Sequence, residues 1–329
     1  MLAQEEVVVG HCQINGENFE SLAQAVSSWP HLSVLDLERV TDEKGRLCVK
    51  PLADSLSQHS SLKHFRMLGC SRSFEGPVVS VLLPALTANH CGLRHLDITS
   101  EISHAERGLQ SAVRGLSEVS NLTVLRLSLR RDVARGPRSA EDWQLFPWAS
   151  LADALPQLCD LRELCLCKAP WGRSVDVLKS ISTLTRLTTL HLDDTDIDAS
   201  TAPQLAHSLR CLHALQNISL EYNDLRGCGR ELGSALTCAT SLCSVQLVKV
   251  LLNEGEAEEI IEALAVTYDR IDPDCYTLIL KLFGSVSERE YISEEADSSG
   301  DPRPKAAFLK SWVHVSLFAD EPDVCDSVT

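Results

Sequence analysis

One motif, L-x-x-L-x-L with apolar substitutes, recurs along most of this chain and restricts its fold more than any other feature. It stands at Leu32-Leu35-Leu37, Leu62-Phe65-Met67, Leu93-Leu96-Ile98, Leu122-Leu125-Leu127 and Leu161-Leu164-Leu166. It continues at Leu187-Leu190-Leu192, Leu215-Ile218-Leu220 and Leu242-Val245-Leu247, with weaker copies at Cys275-Leu278-Leu280 and Trp312-Val315-Leu317. Val7 and Val9, followed by Cys12 and Ile14, read as the strand of a degraded first copy. The anchors are 26–39 residues apart, the spacing of a stacked repeat. The 51 leucines in 329 residues, with aromatics at only 5%, fit one small apolar unit used many times.

Within each motif the apolar period is 2, which predicts a strand. Between motifs it becomes about 3.6: Leu109, Val113 and Leu116, Leu151, Leu155 and Leu158, and Leu205, Leu209 and Leu212 each stand at i, i+4, i+7. Leu178, Ile181 and Leu184 keep the i, i+3 variant. Each unit is therefore strand, turn, helix, turn. Such a unit cannot bury its own apolar face, so neighbours must stack. Helices need roughly 10 Å of width and paired strands about 4.8 Å, so the stack curves with its strands inside.

The segment Leu215-Gln216-Asn217-Ile218-Ser219-Leu220-Glu221-Tyr222-Asn223-Asp224-Leu225 resembles the leucine-rich repeat at every defined position. The long period with a helix is similar to the ribonuclease-inhibitor subtype. The resemblance covers roughly residues 4–283, and residues 307–318 more weakly. It implies an α/β solenoid, a horseshoe with parallel strands on the concave face and helices on the convex face. The position held by Asn223 has a mechanical task, bonding backbone groups that no strand partner satisfies. Cys12 and Cys70 fit that position, Thr195 is a weaker candidate, and Val40, Ala169 and Val250 do not fit it. The resemblance divides the chain into an array over 1–283, an acidic linker or loop over 284–306, and a terminal capping strand with an acidic tail over 307–329.

Formal net charge is −16, which argues against nucleic-acid or anionic-membrane partners. No apolar run approaches the length of a membrane span, and the N-terminus lacks the basic and apolar regions of a signal peptide. Thirteen cysteines without repeated C-x₂-C spacing read as free thiols in a reducing compartment, hence a cytoplasmic chain. Cys165 and Cys167 are two apart and share a strand face. No Walker loop, H-E-x-x-H or G-x-S-x-G occurs, and the histidines are scattered, so no enzyme, metal or cofactor is expected.

Strand alternation turns the third, fifth and seventh residues of each repeat outward. On the first four full strands these include Asp36, Glu38, His64, Arg66, His95, Asp97 and Arg126, the first candidate surface for a protein partner. Arg66 and Asp97 are expected to be neighbours, and such charges are read as exposed pairs worth about 0–1 kcal/mol each. The second candidate is the overlong step between Leu129 and Leu151, a basic insertion carrying Arg130, Arg131, Arg135 and Arg138 with Trp143 and Trp148. By resemblance the irregular repeats suit the C-terminal sensing or autoinhibitory region of NOD-like receptors, the innate-immune sensors. The alternative is a regulator of an enzyme, of the ribonuclease-inhibitor or Ran GTPase-activating type.

Overall fold

The computed structural model describes residues 5–40, 47–70, 74–75, 78–88, 92–102, 108–131, 147–252, 255–268, 278–283 and 313–315. Among these, eleven strands form one parallel sheet. They are β1 (Glu6–Gly10), β2 (Val34–Glu38), β4 (His64–Leu68), β6 (His95–Ile102), β7 (Val124–Arg131) and β8 (Glu163–Cys167). The sheet continues through β9 (Thr189–His191), β10 (Asn217–Ser219), β11 (Ser244–Val248), β12 (Leu278–Phe283) and β13 (Val313–Val315). Their order in the sheet is their order in the chain, which parallel strands achieve only if every connection returns along the same side. A separate two-strand ladder, β3 (Leu47–Cys48) and β5 (Phe74–Glu75), joins two of these connections.

The returning segments are helical: α1 (Gly16–Ser27), α2 (Lys50–Leu56), α3 (Val78–Thr87), α4 (Leu109–Arg114) and α5 (Trp148–Ala154). After them come α6 (Val175–Ile181), α7 (Ala202–Leu209), α8 (Gly229–Leu236) and α9 (Glu256–Tyr268). Most are six to eight residues long. Helices this short are not stable alone; they persist because Leu205 and Leu209, or Leu178 and Ile181, are buried against the backs of the strands. Local chemistry sets some of their starts. Asn15 accepts a hydrogen bond from Asn18 N at 2.8 Å and Ser174 one from Val177 N at 3.3 Å. Pro51 and Pro203 occupy first-turn positions, where their missing N–H costs nothing.

The predicted L-x-x-L-x-L residues form one continuous core between sheet and helices, from Leu32 to Leu247. The fold is thus an α/β leucine-rich-repeat solenoid, strands on the concave wall and helices on the convex side. Two expectations need correction. In β12, Leu280 and Leu282 stand opposite Val245 and Leu247, so the repeat lies two residues later than Leu278-Leu280. The run Leu278-Ile279-Leu280-Lys281-Leu282 offers a leucine at every other place, and a shift of two keeps the same face inward. The basic insertion also begins later than its spacing suggests. β7 runs on to Arg131, and Arg130 and Arg131 stand in register opposite Glu101 and Ile102 of β6. Arg135, Arg138 and Trp143 lie outside the described residues, as does the whole 284–306 segment; of 307–329 only β13 is described, paired with β12.

The strands leave the wall through a repeated left-handed residue. His11, Arg39, Gly69, Lys168, Asp194, Tyr222 and Lys249 all have φ between 48° and 65°, each directly after or shortly beyond its strand. Only Gly69 is glycine, the residue that adopts this conformation without cost.

Candidate functional site

Strand register assembles the wall into straight columns. Val34, His64, His95, Val124, Glu163, Thr189, Asn217 and Ser244 are successive partners across the sheet. So are Asp36, Arg66, Asp97, Arg126, Cys165, His191, Ser219 and Gln246. The predicted residues on the first four full strands are therefore brought together on one surface, with Arg66 and Asp97 facing each other.

The charges in these columns hold one another. Arg66 Nε lies 2.8 Å from Asp36 Oδ2, and its Nη2 donates to Glu38 Oε2 at 3.0 Å. Arg126 reaches both ways, Nη1 to Asp97 Oδ2 at 3.4 Å on the preceding strand and Nε to Glu163 Oε1 at 2.5 Å on the following one. The expectation of simple exposed pairs fails here. Asp97 is 3% exposed and Asp36 9%, because the short aspartates sit at the floor of the wall while long arginine side chains cross above them. Burial pushes the Asp97 carboxyl above the ordinary carboxylate range, while Arg126 pulls it back down. Both guanidiniums are held more firmly protonated, Arg66 first by its close ion pair with Asp36 and Arg126 first by its bond with Glu163. Asp36 Oδ1 is buried without a hydrogen-bond partner.

His64 and His95 stack between these arginines, ring centroids 4.0 Å apart and planes 19° from parallel. Burial drives the His95 pKa down to about 4, helped by His64, Arg126 and Arg66; burial also lowers that of His64. Both rings are thus neutral at pH 7, and the stack is not a like-charge clash. His95 Nε2 is buried with no hydrogen-bond partner. Among the described residues no group of three or more His, Cys, Asp or Glu side chains converges as a metal site would require.

Beyond β7 the wall changes character. Cys165 and Cys167 follow Arg126 and Ser128, their sulfurs 3.2 Å apart. Asp193 Oδ1 accepts from Ser219 Oγ at 2.5 Å and from Glu221 N at 2.9 Å. Directly behind, the Asn223 carboxamide makes the bonds expected of its position. Its Nδ2 donates to Leu192 O, Leu220 O and Glu221 O at 2.7–3.1 Å. Its Oδ1 accepts from Thr195 N, Thr195 Oγ1 and Ile197 N at 3.0–3.2 Å. Thr195 joins in through Oγ1 to Leu192 O at 2.8 Å. Cys70 performs the same task with sulfur, donating to Leu68 O at 3.2 Å and accepting from Val40 N at 3.4 Å. Sequence reasoning missed the Glu163 contact to Arg126, although their diagonal register was readable from the strand alignment.

The second candidate surface yields less. Trp148 opens α5 rather than a loop and packs edge-on against the buried Trp171, centroids 6.0 Å apart. No helix among the described residues is long and apolar enough to cross a membrane.

No protein-family model matches the chain, and no curated protein matches it. Solved structures do. An internalin from Listeria monocytogenes is 15% identical, with 96% of this chain and 87% of that one covered at a TM-score of 0.36. A leucine-rich-repeat protein from Leptospira interrogans is 12% identical, with 89% of this chain and 74% of that one covered at a TM-score of 0.33. The fold assignment stands on the register and the Asn223 bonds described above.

Proposed function

We propose that this chain is a non-enzymatic protein-recognition module whose partner docks on the concave wall. The observation that carries this reading is the unbroken register, which lays side chains from successive strands into fixed columns on one rigid surface. Such a surface is preorganised, so little side-chain freedom is lost on docking. Among the described residues, register places eight acidic residues (Glu6, Asp36, Glu38, Asp97, Glu101, Glu163, Asp193 and Glu221) on the wall against four basic ones (Arg66, Arg126, Arg130 and Lys281), and Arg66 and Arg126 are already engaged by four of the carboxylates. The wall is acidic as a whole and suits a partner presenting basic groups. The basic insertion around Arg135 and Arg138 is the rival surface.

Ten described cysteines, all free thiols, support a reducing, cytoplasmic setting. With the irregular repeat spacing they support a sensing or autoinhibitory repeat region of a NOD-like receptor over a stricter enzyme-inhibitor array. An enzyme regulator of the ribonuclease-inhibitor or Ran GTPase-activating type is the second reading. Residues 1–283 act as the recognition array in either case, with 284–306 as linker and 307–329 as cap. The test of docking is site-specific photo-crosslinking in cell extract. A photoreactive residue at Val34, Val124 or Gln246 on the wall should capture one common protein, while placement at exposed Asp54 or Asp153 on the helices should not. Capture from Arg135 alone would move the site to the insertion. The receptor reading is tested by the genomic sequence upstream of the Met1 codon, where a nucleotide-binding domain is expected.

A further inference from the structure

Among the described cysteines, Cys165 and Cys167 have the only recorded contact between two sulfurs, Sγ to Sγ at 3.2 Å. They lie two apart on β8, so the pleat turns both to the concave wall. Cys165 is half-buried and open to small solutes, whereas Cys167 is 6% exposed. Cys167 Sγ also lies 3.8 Å from Asp193 Oδ2. Two residues of strand span about 6.6 Å between Cα atoms, just inside the roughly 6.8 Å outer limit for a disulfide. The sulfurs are thus in contact but not bonded, and a bond between them is reachable with local strain.

We infer that Cys165 and Cys167 form a peroxide-oxidisable dithiol, a modification site at the middle of the concave wall. Cys165, the more exposed sulfur, meets hydrogen peroxide first. The O–O bond breaks, Cys165 becomes a sulfenic acid, and one water leaves. Cys167 sulfur then attacks the Cys165 sulfur. The S–S bond forms as the S–O bond breaks, and the sulfenic hydroxyl leaves as a second water with the Cys167 proton. The two sulfurs lose two electrons and peroxide gains them. The hydrogen bond with Cys165, burial and the nearby Asp193 charge push the Cys167 thiol pKa up, and either sulfur can donate the S–H between them. Strain in the closed form makes it easily reduced, so the change is reversible. This chemistry does not depend on the recognition reading, and it can be read with no partner present.

The sequence allows a clean assay, because trypsin releases residues 163–168, cut after Arg162 and Lys168, with both cysteines and no others. The full chain is treated with peroxide, alkylated, digested and weighed. The 163–168 peptide should carry no alkyl group and weigh two hydrogens less than the free dithiol, and dithiothreitol before alkylation should restore the doubly alkylated form. In Cys167→Ser, Cys165 should instead proceed to sulfinic acid under the same dose. The inference is overturned if the wild-type peptide stays doubly alkylated while exposed Cys159 oxidises. It is overturned equally if Cys165 reaches sulfinic acid in wild type, or if either sulfur is found linked to a cysteine elsewhere in the chain.

Discussion

The solenoid solves one problem in two ways. In the stretch from β6 to β7, strands run for eight residues and pair along their whole length, so their backbone groups are satisfied by each other. In the stretch from β9 to β10, strands last only three residues and the chain departs through left-handed Asp194 and Tyr222. There the backbone groups released by the turn are taken up by Asn223 and Thr195 side chains. Backbone donors and acceptors buried by stacking must find partners in either case. The long-strand region leaves its wall to ion pairs and stacked rings, while the short-strand region spends its polar side chains on its own backbone. Repeat regularity and wall chemistry thus trade against each other along one chain.

The largest expected effect tests whether the short-strand region is the better built. Leu220→Ala removes a fully buried side chain from a tight turn stack, and a loss of roughly 2–5 kcal/mol is expected. Phe65→Ala on the five-residue strand β4, in the N-terminal half, should cost as much or more, since the ring is larger and equally buried. Urea unfolding of both variants checks this. If Phe65→Ala is the milder of the two by more than 1 kcal/mol, the N-terminal half collapses around cavities and is the looser part.

Asn223→Ala comes next, with a loss of roughly 1–3 kcal/mol, because buried amides of Thr195 and Ile197 lose their acceptor. Cys70→Ala should cost less, since sulfur makes weaker bonds to the corresponding groups. Equal midpoints for the two variants would remove the distinction between carboxamide and sulfur at this position. Both roles were legible in the sequence, because the repeat fixes where the ladder side chain falls. So were the wall columns, since leucine anchors leave no freedom in a period-2 pattern. The β12 register was not, because alternating leucines are degenerate under a shift of two. Nor was the left-handed rim, which is built from His11, Arg39, Lys168, Asp194, Tyr222 and Lys249 instead of the glycines that mark such turns. Burial of Asp97 depends on which long side chains cross it, and no local pattern encodes that.

A smaller effect separates the charges of the two regions. Arg126→Ala leaves the Asp97 carboxylate buried without its counter-ion, a loss of roughly 1–2 kcal/mol at neutral pH. Arg173→Ala, which breaks an exposed pair with Asp196 at 3.0 Å in the short-strand region, should cost about 0–1 kcal/mol. The sign of the pH dependence is fixed. A carboxyl whose folded pKa is raised above 3.8 gives stability at low pH that is lost as pH rises through the folded value. Removing Arg126 raises it further, so the variant's deficit should shrink on acidification. A deficit that is constant with pH would mean that Asp97 is not the group left stranded.

The last expected effect concerns the histidine stack, and it has the opposite sign. The folded His95 pKa is about 4 against 6.5 for the free ring. The unfolded chain therefore takes up a proton that the native ring refuses. Stability from this source is full above pH 6.5 and falls as pH drops from 6.5 towards 4. The groups facing the pair act in both directions. Arg66 and Arg126 oppose protonation of both rings, while Asp36 and Glu6 favour it at His64 and Glu163 favours it at His95. Asp97 gains stability over part of the same window, so in the native protein the two slopes partly cancel. His95→Phe keeps a ring for His64 to stack on and removes the titration. Its urea midpoint should fall less than that of wild type between pH 6.5 and about 4, leaving the Asp97 gain exposed. If His95→Phe and wild type lose stability in parallel over that range, the proton is taken up elsewhere, and the stack serves only to fill the wall between the two arginines.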